Sequence, residues 1–162
     1  MELEVRRLRL SDIDGPAGLL ALRESIVNEL AEERGGVLFL ADRALRTPMS
    51  FLDSAPDTSL CEVVLADGAL IGWSQTSIRV LSNGSRVATL EEIAVDPAAR
   101  EIGAGEALLN SAIAWCGVQG CTGVDSYALP GARETKNFFE TFGLKARLLT
   151  VHLNFDRTEV VP

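Results

Sequence analysis

A turn that contains two glycines is the part of this sequence best suited to bind an anion. The apolar stretch 87–95 predicts a strand, and Pro97 ends it, because proline cannot donate to a sheet ladder. Arg100, Gly103 and Gly105 follow, so side chains are missing where a ligand's oxygen atoms would approach the main chain. The helix expected behind them would point its free N–H groups and its dipole at the same place, which favours phosphate binding.

Three interpretations fit this turn. The first is an ordinary turn before a helix, with no ligand. The second is a dinucleotide-binding turn, which would need a third glycine where the chain has Leu108. The third is a pyrophosphate cradle with Arg100 beside it. A P-loop is excluded, because no Gly-Lys-Ser/Thr sequence follows the glycines.

Two stretches of the chain resemble motifs of a known enzyme family. Arg100, Gly103 and Gly105, after a strand that ends in Val95, resemble motif A of the GNAT family of N-acetyltransferases. The stretch 137–144, NFFETFGL, is similar to the family's next motif. The resemblance covers a little under half of the chain, and it implies a protein that binds acetyl-CoA and moves its acetyl group to an amine.

The resemblance also implies which residues hold the cofactor. Backbone N–H groups at the end of the strand would hold the pantetheine arm and polarise the thioester, and the turn would hold the pyrophosphate. The implied cofactor-binding residues are Ile93, Ala94, Val95, Arg100, Glu101, Ile102, Gly103, Ala104, Gly105, Glu106 and Asn137. Helix capping is the alternative role of Asn137.

Acetyl transfer to an amine needs a base that takes a proton from the amine. Many members of the family carry a carboxylate just before the cofactor-binding strand residues, where this chain has Glu91 and Glu92. Adjacent strand residues point to opposite faces, so only one should face the cleft unless a β-bulge intervenes. We predict Glu92 as the base and keep Glu91 as the alternative, because strict alternation would turn Glu91 inward. Surface or ion-paired positions for both are the other interpretation.

A general acid is harder to identify. The family often has a tyrosine in the helix after the second parallel strand, and the matching residue here is Phe139, which has no proton to give. Tyr127 is the only tyrosine of the chain and becomes the candidate, with a half-buried aromatic role as the alternative. A thiolate can also leave without an acid, since a thiol pKa is about 8.5. The missing tyrosine keeps open a second function, a catalytically silent acyl-CoA-binding or sensing module.

The composition limits the class of protein. At 162 residues and 47% hydrophobic content, we expect a single globular domain over 1–162. A net charge of −8 argues against nucleic-acid binding and favours a cationic acceptor. No stretch approaches the roughly 18 apolar residues of a membrane span, and the N-terminus lacks an apolar signal core, so we predict a cytoplasmic protein with no membrane partner.

The cysteines are too few and too irregularly spaced for a disulfide framework. Cys61, Cys116 and Cys121 are therefore predicted to be small buried thiols. With a single histidine, His152, no metal site is expected, and we assign that residue no role.

The predicted order of elements is β-α-α-β-β-β-α-β-α-β, an α/β chain with a mixed sheet, which is the order of the GNAT fold. Strands are predicted at 2–10, 60–65, 69–80, 87–95, 121–127 and 144–155, and helices at 11–33, at 103–118 and before Gly143. The first helix would begin with a capping box from Ser11 to Asp14. Asp67-Gly68 predicts a hairpin, and the crossover helix would make the strands on either side of it parallel. The stretch 37–53 is ambiguous, with a short strand at 38–40 or a helix from 41 to 46.

These observations together predict an acetyl-CoA-dependent N-acetyltransferase. Its acceptor would be the primary amine of a small molecule or peptide, which would attack the thioester directly. We do not expect a nucleic-acid partner, and a homodimer through the last strand is a hypothesis.

Overall fold

A mixed sheet of five strands organises the computed structural model, which describes residues 1–42, 52 and 56–155. The strands are β1 (Leu3–Arg7), β2 (Ser59–Ala66), β3 (Ala69–Val80), β4 (Arg86–Val95) and β5 (Gly123–Asp125). The helices are α1 (Leu19–Glu32), α2 (Gly36–Asp42), α3 (Ala104–Val118) and α4 (Arg133–Thr141). The strand order is β1-β2-β3-β4-β5, antiparallel except for the last pair. This confirms the predicted α/β class with a mixed sheet.

Turn residues set the local path of the chain, as the sequence predicts. Asp67 and Gly68 have φ of 47° and 84°, the positive values that a two-residue hairpin between β2 and β3 requires. Gly84, with φ of 83°, sits in the connection between β3 and β4. α3 then carries the chain across one face of the sheet, and β5 returns parallel to β4.

Helices cover both faces of the sheet. On the α1 face, the buried cluster consists of Leu8, Ile13, Leu19, Ile26, Cys61, Val63, Leu65 and Trp73. On the opposite face, α3 and α4 bury Val64, Ile71, Leu90, Ala104, Leu108, Leu109, Ala112 and Phe139. β3 and β4 are therefore enclosed on both sides, which fixes the strands that lead to the turn.

The first helix begins later than predicted. A short 3₁₀ turn at Leu10–Asp12 precedes it, and α1 starts only at Leu19, because Gly15, with φ of 95°, and the proline after it interrupt the run. The predicted capping box from Ser11 to Asp14 is wrong. Asp12 takes that role instead and accepts hydrogen bonds from the Arg9 N–H at 2.7 Å and from the Arg6 guanidinium at 2.7 and 2.8 Å.

The ambiguous stretch begins as a helix. Residues 38–40, one candidate for a short strand, lie inside α2. Most of the alternative helix, 41–46, lies outside the described residues. Among the residues that are described, no helix has both the length and the apolar character needed to cross a bilayer.

The last predicted strand, 144–155, is wrong for the described chain. The Leu144 N–H donates to the Phe139 carbonyl at 3.1 Å, and Arg147 pairs with Asp125 of β5, but the residues from 144 to 155 join no ladder. Without a neighbouring strand, an alternating sequence cannot satisfy its backbone groups as a strand. β5 is likewise shorter than the predicted 121–127.

Candidate active site

A cavity begins where the two parallel strands separate. β4 and β5 pair only between Val87–Thr89 and Gly123–Asp125, while β4 continues to Val95. The Ser126 hydroxyl donates to the Leu90 carbonyl at 3.0 Å and so occupies the first backbone group beyond the ladder. Past that point the β5 side of β4 borders a cavity with a volume of about 1130 Å³. Half of the backbone groups of a strand point to each neighbour, so part of the main chain near Val95 faces this cavity.

The turn after β4 presents its backbone to the same cavity. Asp96 caps a short 3₁₀ turn by accepting from the Ala98 N–H at 2.9 Å. Glu101 and Gly103 then have φ of 73° and 85°, so the chain reverses sharply before α3. The Ala107 N–H donates to the Gly103 carbonyl at 2.9 Å as the first bond of the helix, which leaves the N–H groups of 104–106 without an intrahelical partner. An anion fits this end of the helix.

Gly105 keeps the wall of the cavity open. A Cβ atom built there would lie 3.5 Å from the Phe138 ring and 3.8 Å from a Val95 methyl carbon, which is ordinary contact. A Cβ atom is therefore tolerated there, and since Gly105 lines the cavity, a larger side chain would be added at its wall.

Arg100 lies at the mouth of the cavity, between the turn and α1. Its Nε donates to the Val95 carbonyl at 3.4 Å, and its Nη2 contacts the Glu29 carboxylate at 3.1 Å. Both side chains are about half exposed. Arg100 is thus beside the predicted phosphate position, with a carboxylate as its partner in this structure.

Most of the predicted cofactor-binding residues lie together. Those that line the cavity are Ile93, Ala94, Val95, Arg100, Glu101, Gly103, Ala104, Gly105 and Glu106. Ile102 does not line it and packs instead against the core cluster below α3. Asn137 is exposed on α4 and outside the cavity wall, where its carbonyl accepts from Thr141. The face of α4 that reaches the cavity carries Phe138 and Phe142.

A β-bulge places both candidate bases on one face. Glu92 pairs with Gln75 and Leu90 pairs with Thr76, so Glu91 is an extra residue of β4. Glu92 accepts a hydrogen bond from Trp73 Nε1 at 2.9 Å, and Glu91 accepts one from Ser77 Oγ at 2.8 Å. Trp73 and Ser77 are four residues apart on β3 and share a face, so the two carboxylates share it too. Both line the cavity.

The two carboxylates have different partners. Arg23 of α1 holds Glu92 with two hydrogen bonds, 3.1 Å from Nε and 2.7 Å from Nη2. The Arg23 and Glu92 side chains are only 13% and 17% exposed, so this ion pair joins α1 to the sheet inside the wall of the cavity. One hydrogen bond to Glu91 comes from the neutral hydroxyl of Ser77.

The candidate general acid, Tyr127, and the residue at the family's tyrosine position, Phe139, have different surroundings. Tyr127 follows β5, lines the cavity and is 40% exposed, with its ring edge-to-face against Phe39 of α2 at 6.0 Å. Phe139, at the position where the family often has tyrosine, also borders the cavity but is buried and packs with Leu90 and Leu109. Only Tyr127 of these three aromatic residues carries a proton that could be donated.

The structure adds residues that the sequence analysis did not select. Arg23, Trp73, Glu29, Glu33 and Phe39 all form part of the cavity or its support. One signal was available, because Arg23 lies four residues after Leu19 and three before Ile26, within the buried stripe of α1. A charged residue in an apolar stripe indicates a buried partner.

Carboxylates dominate the charge of the cavity wall. They belong to Glu29, Glu33, Glu91, Glu92, Glu101, Glu106 and Glu134, whereas the lining cations of the described chain are Arg100 and Arg133. A negative cavity attracts cationic ligands.

The cysteines lie away from the cavity wall and act as packing residues. Cys61 and Cys116 are buried free thiols, as predicted, and burial raises the pKa of each to about 12. Cys121 is only partly buried. Within residues 1–42, 52 and 56–155, no group of three or more His, Cys, Asp or Glu side chains is placed to hold a metal ion.

Known structures share this architecture. Glucosamine-6-phosphate N-acetyltransferase from Arabidopsis thaliana superposes with a TM-score of 0.69 at 20% identity, covering 96% of this chain and 100% of the other. The aminoglycoside N-acetyltransferase AAC(6')-Iy, solved in complex with CoA, gives 0.68 at 20% identity, covering 93% and 99%. An acetyltransferase from Trypanosoma brucei gives 0.64 at 22% identity, covering 95% and 100%. At these identities the likeness concerns the fold.

Sequence comparison identifies the family. No curated protein matches the chain significantly. The pattern of the acetyltransferase (GNAT) family matches residues 23–144, which include the turn, both carboxylates of β4 and all of α4. Since the match spans well over half of the sequence, this chain belongs to the acetyltransferase (GNAT) family.

Proposed function

We propose that this protein transfers the acetyl group of acetyl-CoA to the primary amine of a small molecule or peptide. One observation carries the proposal: the open side of β4, the N-terminus of α3 and a pair of carboxylates meet in a single cavity. Membership of the family supports the reaction class.

Backbone groups would hold the cofactor, which supplies an activated acetyl group. The N–H groups of 104–106 would donate to the pyrophosphate, and Arg100 would turn from Glu29 toward it. Main-chain groups of Ile93–Val95 on the open side of β4 would bind the pantetheine arm and polarise the thioester carbonyl.

We assign the base to Glu91, the alternative of the sequence analysis. Both oxygen atoms of Glu92 are already engaged, by two hydrogen bonds from Arg23 and one from the Trp73 indole N–H. Glu91 faces the same cavity with Ser77 as a hydrogen-bond partner. It would take the proton of the attacking amine directly or through one water.

Tyr127 is the candidate acid, because it lines the cavity and Phe139 cannot donate. The proposal does not require an acid, since a thiol pKa of about 8.5 lets the thiolate leave near neutral pH. The carboxylates around the acceptor end favour an amine that is cationic in solution.

Binding and turnover test the proposal separately. The thermal midpoint of the protein should rise with acetyl-CoA, and thiol release should follow with at least one amine among polyamines, aminoglycosides, amino acids and peptides. Gly105→Asp should abolish the thermal shift, because it adds a negative charge in front of the helix end. Gly105→Asn is the control of equal size and should retain more of the shift.

Each result has a distinct meaning. A thermal shift without thiol release on any amine would support the silent acyl-CoA-binding module instead. No shift with acetyl-CoA, in a protein that unfolds cooperatively, would reject the cofactor site itself. An acidic residue at a helix N-terminus favours the helix, so lost binding in Gly105→Asp would not reflect unfolding.

A further inference from the structure

The end of α3 brings two cysteines together. The Cys121 N–H donates to the Cys116 carbonyl at 3.0 Å, and the Gly120 N–H donates to the Gly117 carbonyl at 3.1 Å. Gly120 has φ of 73°, the left-handed value that lets the helix end in this way. These two bonds form a Schellman motif, in which the side chains at the positions of Cys116 and Cys121 commonly pack against each other.

The motif sets the two cysteines at a spacing that a disulfide can bridge. Given the hydrogen bond of 3.0 Å between the Cys121 nitrogen and the Cys116 oxygen, standard bond lengths keep the two Cα atoms within about 7 Å of each other. Cysteines whose Cα atoms are more than about 7 Å apart cannot be joined without moving the backbone. This pair therefore needs no rearrangement of the fold.

The two thiols contact each other but differ in exposure. The pKa of the Cys116 thiol is raised to about 12 by burial and, less strongly, by the charge of Cys121 and a hydrogen bond with it. Cys116 is 2% exposed, whereas Cys121 is partly exposed. A reagent from solution therefore reaches Cys121 first, and Cys116 is the neighbour that can react with the product.

Hydrogen bonds outside the motif hold this corner in place. Arg86 Nε donates to the Gln119 carbonyl at 2.9 Å, and the Thr122 N–H donates to the Arg86 carbonyl at 2.8 Å. Both bonds join the end of α3 to the start of β4, just before the chain enters β5. Because the backbone is fixed on both sides of the motif, the two thiols stay close together, which raises the effective concentration of one at the other.

We propose that Cys116 and Cys121 form a dithiol site that low-molecular-weight disulfides oxidise to an intramolecular disulfide. The Cys121 thiolate attacks one sulfur atom of the small disulfide, whose S–S bond breaks, and the first small thiol leaves and takes up a proton. Cys116 then loses its proton and attacks the Cys121 sulfur, which releases the second small thiol. Two protein thiols are thus oxidised, and one small disulfide is reduced to two thiols. The inference does not depend on acetyl transfer.

Oxidised glutathione is the probe, added to the full chain in excess over reduced glutathione. We expect the intact mass to fall by two hydrogen atoms, with no glutathione retained. Trypsin should then release the peptide 101–133, which contains both Cys116 and Cys121, with neither thiol open to alkylation. Cys61 lies in a different tryptic peptide and should remain open to alkylation after denaturation.

Single substitutions separate the roles of the two sulfur atoms. Cys116→Ala should stop the reaction at a mixed disulfide of Cys121 with glutathione, because the second thiol is missing. Cys121→Ala should leave the chain unmodified, since Cys116 is buried. Cys61→Ala is the matched control, because Cys61 is also a buried free thiol, and this variant should form the disulfide as the wild type does.

The contribution of the fold is measured in Cys61→Ala by comparing the native chain with the chain in urea. The equilibrium constant for the disulfide in glutathione buffers should be at least about tenfold larger in the native protein, because the fold holds the two thiols together. The thermal midpoint of the oxidised protein should rise accordingly. Equal constants in the native and unfolded chain, a stable mixed disulfide in the wild type, or no reaction of the native protein would each overturn the proposal.

Discussion

Two glutamates on opposite faces of the sheet, Glu92 and Glu62, have different surroundings. Glu92 lies on the α1 face beside the cavity, with the guanidinium of Arg23 and the indole N–H of Trp73 on its oxygen atoms. Glu62 lies on the α3 face and is 7% exposed, and its Oε1 accepts from Ser111 Oγ at 2.7 Å. Burial raises the pKa of the Glu62 carboxyl above its usual range.

The α3 face offers hydroxyl groups where the α1 face offers a cation. Ser74 lies directly opposite Glu62, and Glu62 Oε2, Ser74 Oγ and Thr76 Oγ1 are buried with no hydrogen-bond partner in the described part of the chain. Burial is the main cause of the raised pKa of Glu62, and the charge of Arg7, its neighbour on β1, opposes it only in part. The comparison teaches that the glutamate on the face that opens to the cavity is held directly by a guanidinium, whereas Glu62 on the opposite face is hydrogen-bonded by a hydroxyl group and feels Arg7 through charge alone.

The largest effect on activity should come from replacing Glu91, the other carboxylate on the α1 face. Glu91→Gln should lower kcat/KM by about 10²- to 10⁴-fold, because it removes the proposed base without changing size. Glu92→Gln is the matched control, and it should reduce stability more than chemistry, because it leaves the charge of Arg23 without its partner. Steady-state kinetics of both variants measure the change in kcat/KM, and thermal unfolding measures the change in stability. Full activity in Glu91→Gln with none in a stable Glu92→Gln would return the base to Glu92.

Replacing Arg23 should show how much its ion pair with Glu92 contributes to the stability of the protein. Arg23→Met leaves a mostly buried carboxylate unpaired, and we expect a loss of about 3 kcal/mol in the free energy of unfolding. Urea denaturation measures it. The double variant with Glu92→Met should recover part of the loss, and the absence of any recovery would mean that Arg23 acts through packing rather than charge.

On the α3 face, removing the charge of a buried carboxylate should stabilise the protein instead of destabilising it. Glu62→Gln should raise the stability at pH 8 by about 1 kcal/mol, because a buried charge with one hydroxyl partner costs more than a neutral amide. A raised folded pKa gives stability that is present below the unfolded value of 4.5 and is lost as pH rises through the folded value. The gain should therefore vanish near pH 4. A variant less stable than the wild type at both pH values would contradict this account.

The smallest effect on stability is expected at Asp125, which pairs with two exposed arginines at the edge of the sheet. Arg147 and, less strongly, Arg79 hold the pKa of the Asp125 carboxyl below its usual range. The stability from this pair is present above the unfolded value of 3.8 and is lost as pH falls through the folded value. Because both arginines are more than half exposed, Asp125→Asn should cost at most about 1 kcal/mol at pH 7 and nothing near pH 2. A loss that persists at pH 2 would indicate packing instead of charge.

The sequence by itself determined the parts that depend on neighbouring residues. Asp67-Gly68 specifies its hairpin because both residues accept positive φ, and the order of strand, turn and helix from Arg86 to Val118 follows from local patterning. Local patterning also predicted that Gly103 and Gly105 lie at the start of the helix. Most of the cavity wall near the turn follows from that position. These features require no knowledge of a distant partner.

Only the tertiary structure decided how distant segments meet. The bulge at Glu91 depends on the register between β3 and β4, and strand alternation alone could not show that both carboxylates share a face. Likewise, Arg23 meets Glu92 across 69 positions of sequence, and the alternating residues of 144–155 find no strand within the described chain. Pairing over such separations is a property of the folded chain as a whole, because it is fixed by how all of the layers pack rather than by any local preference.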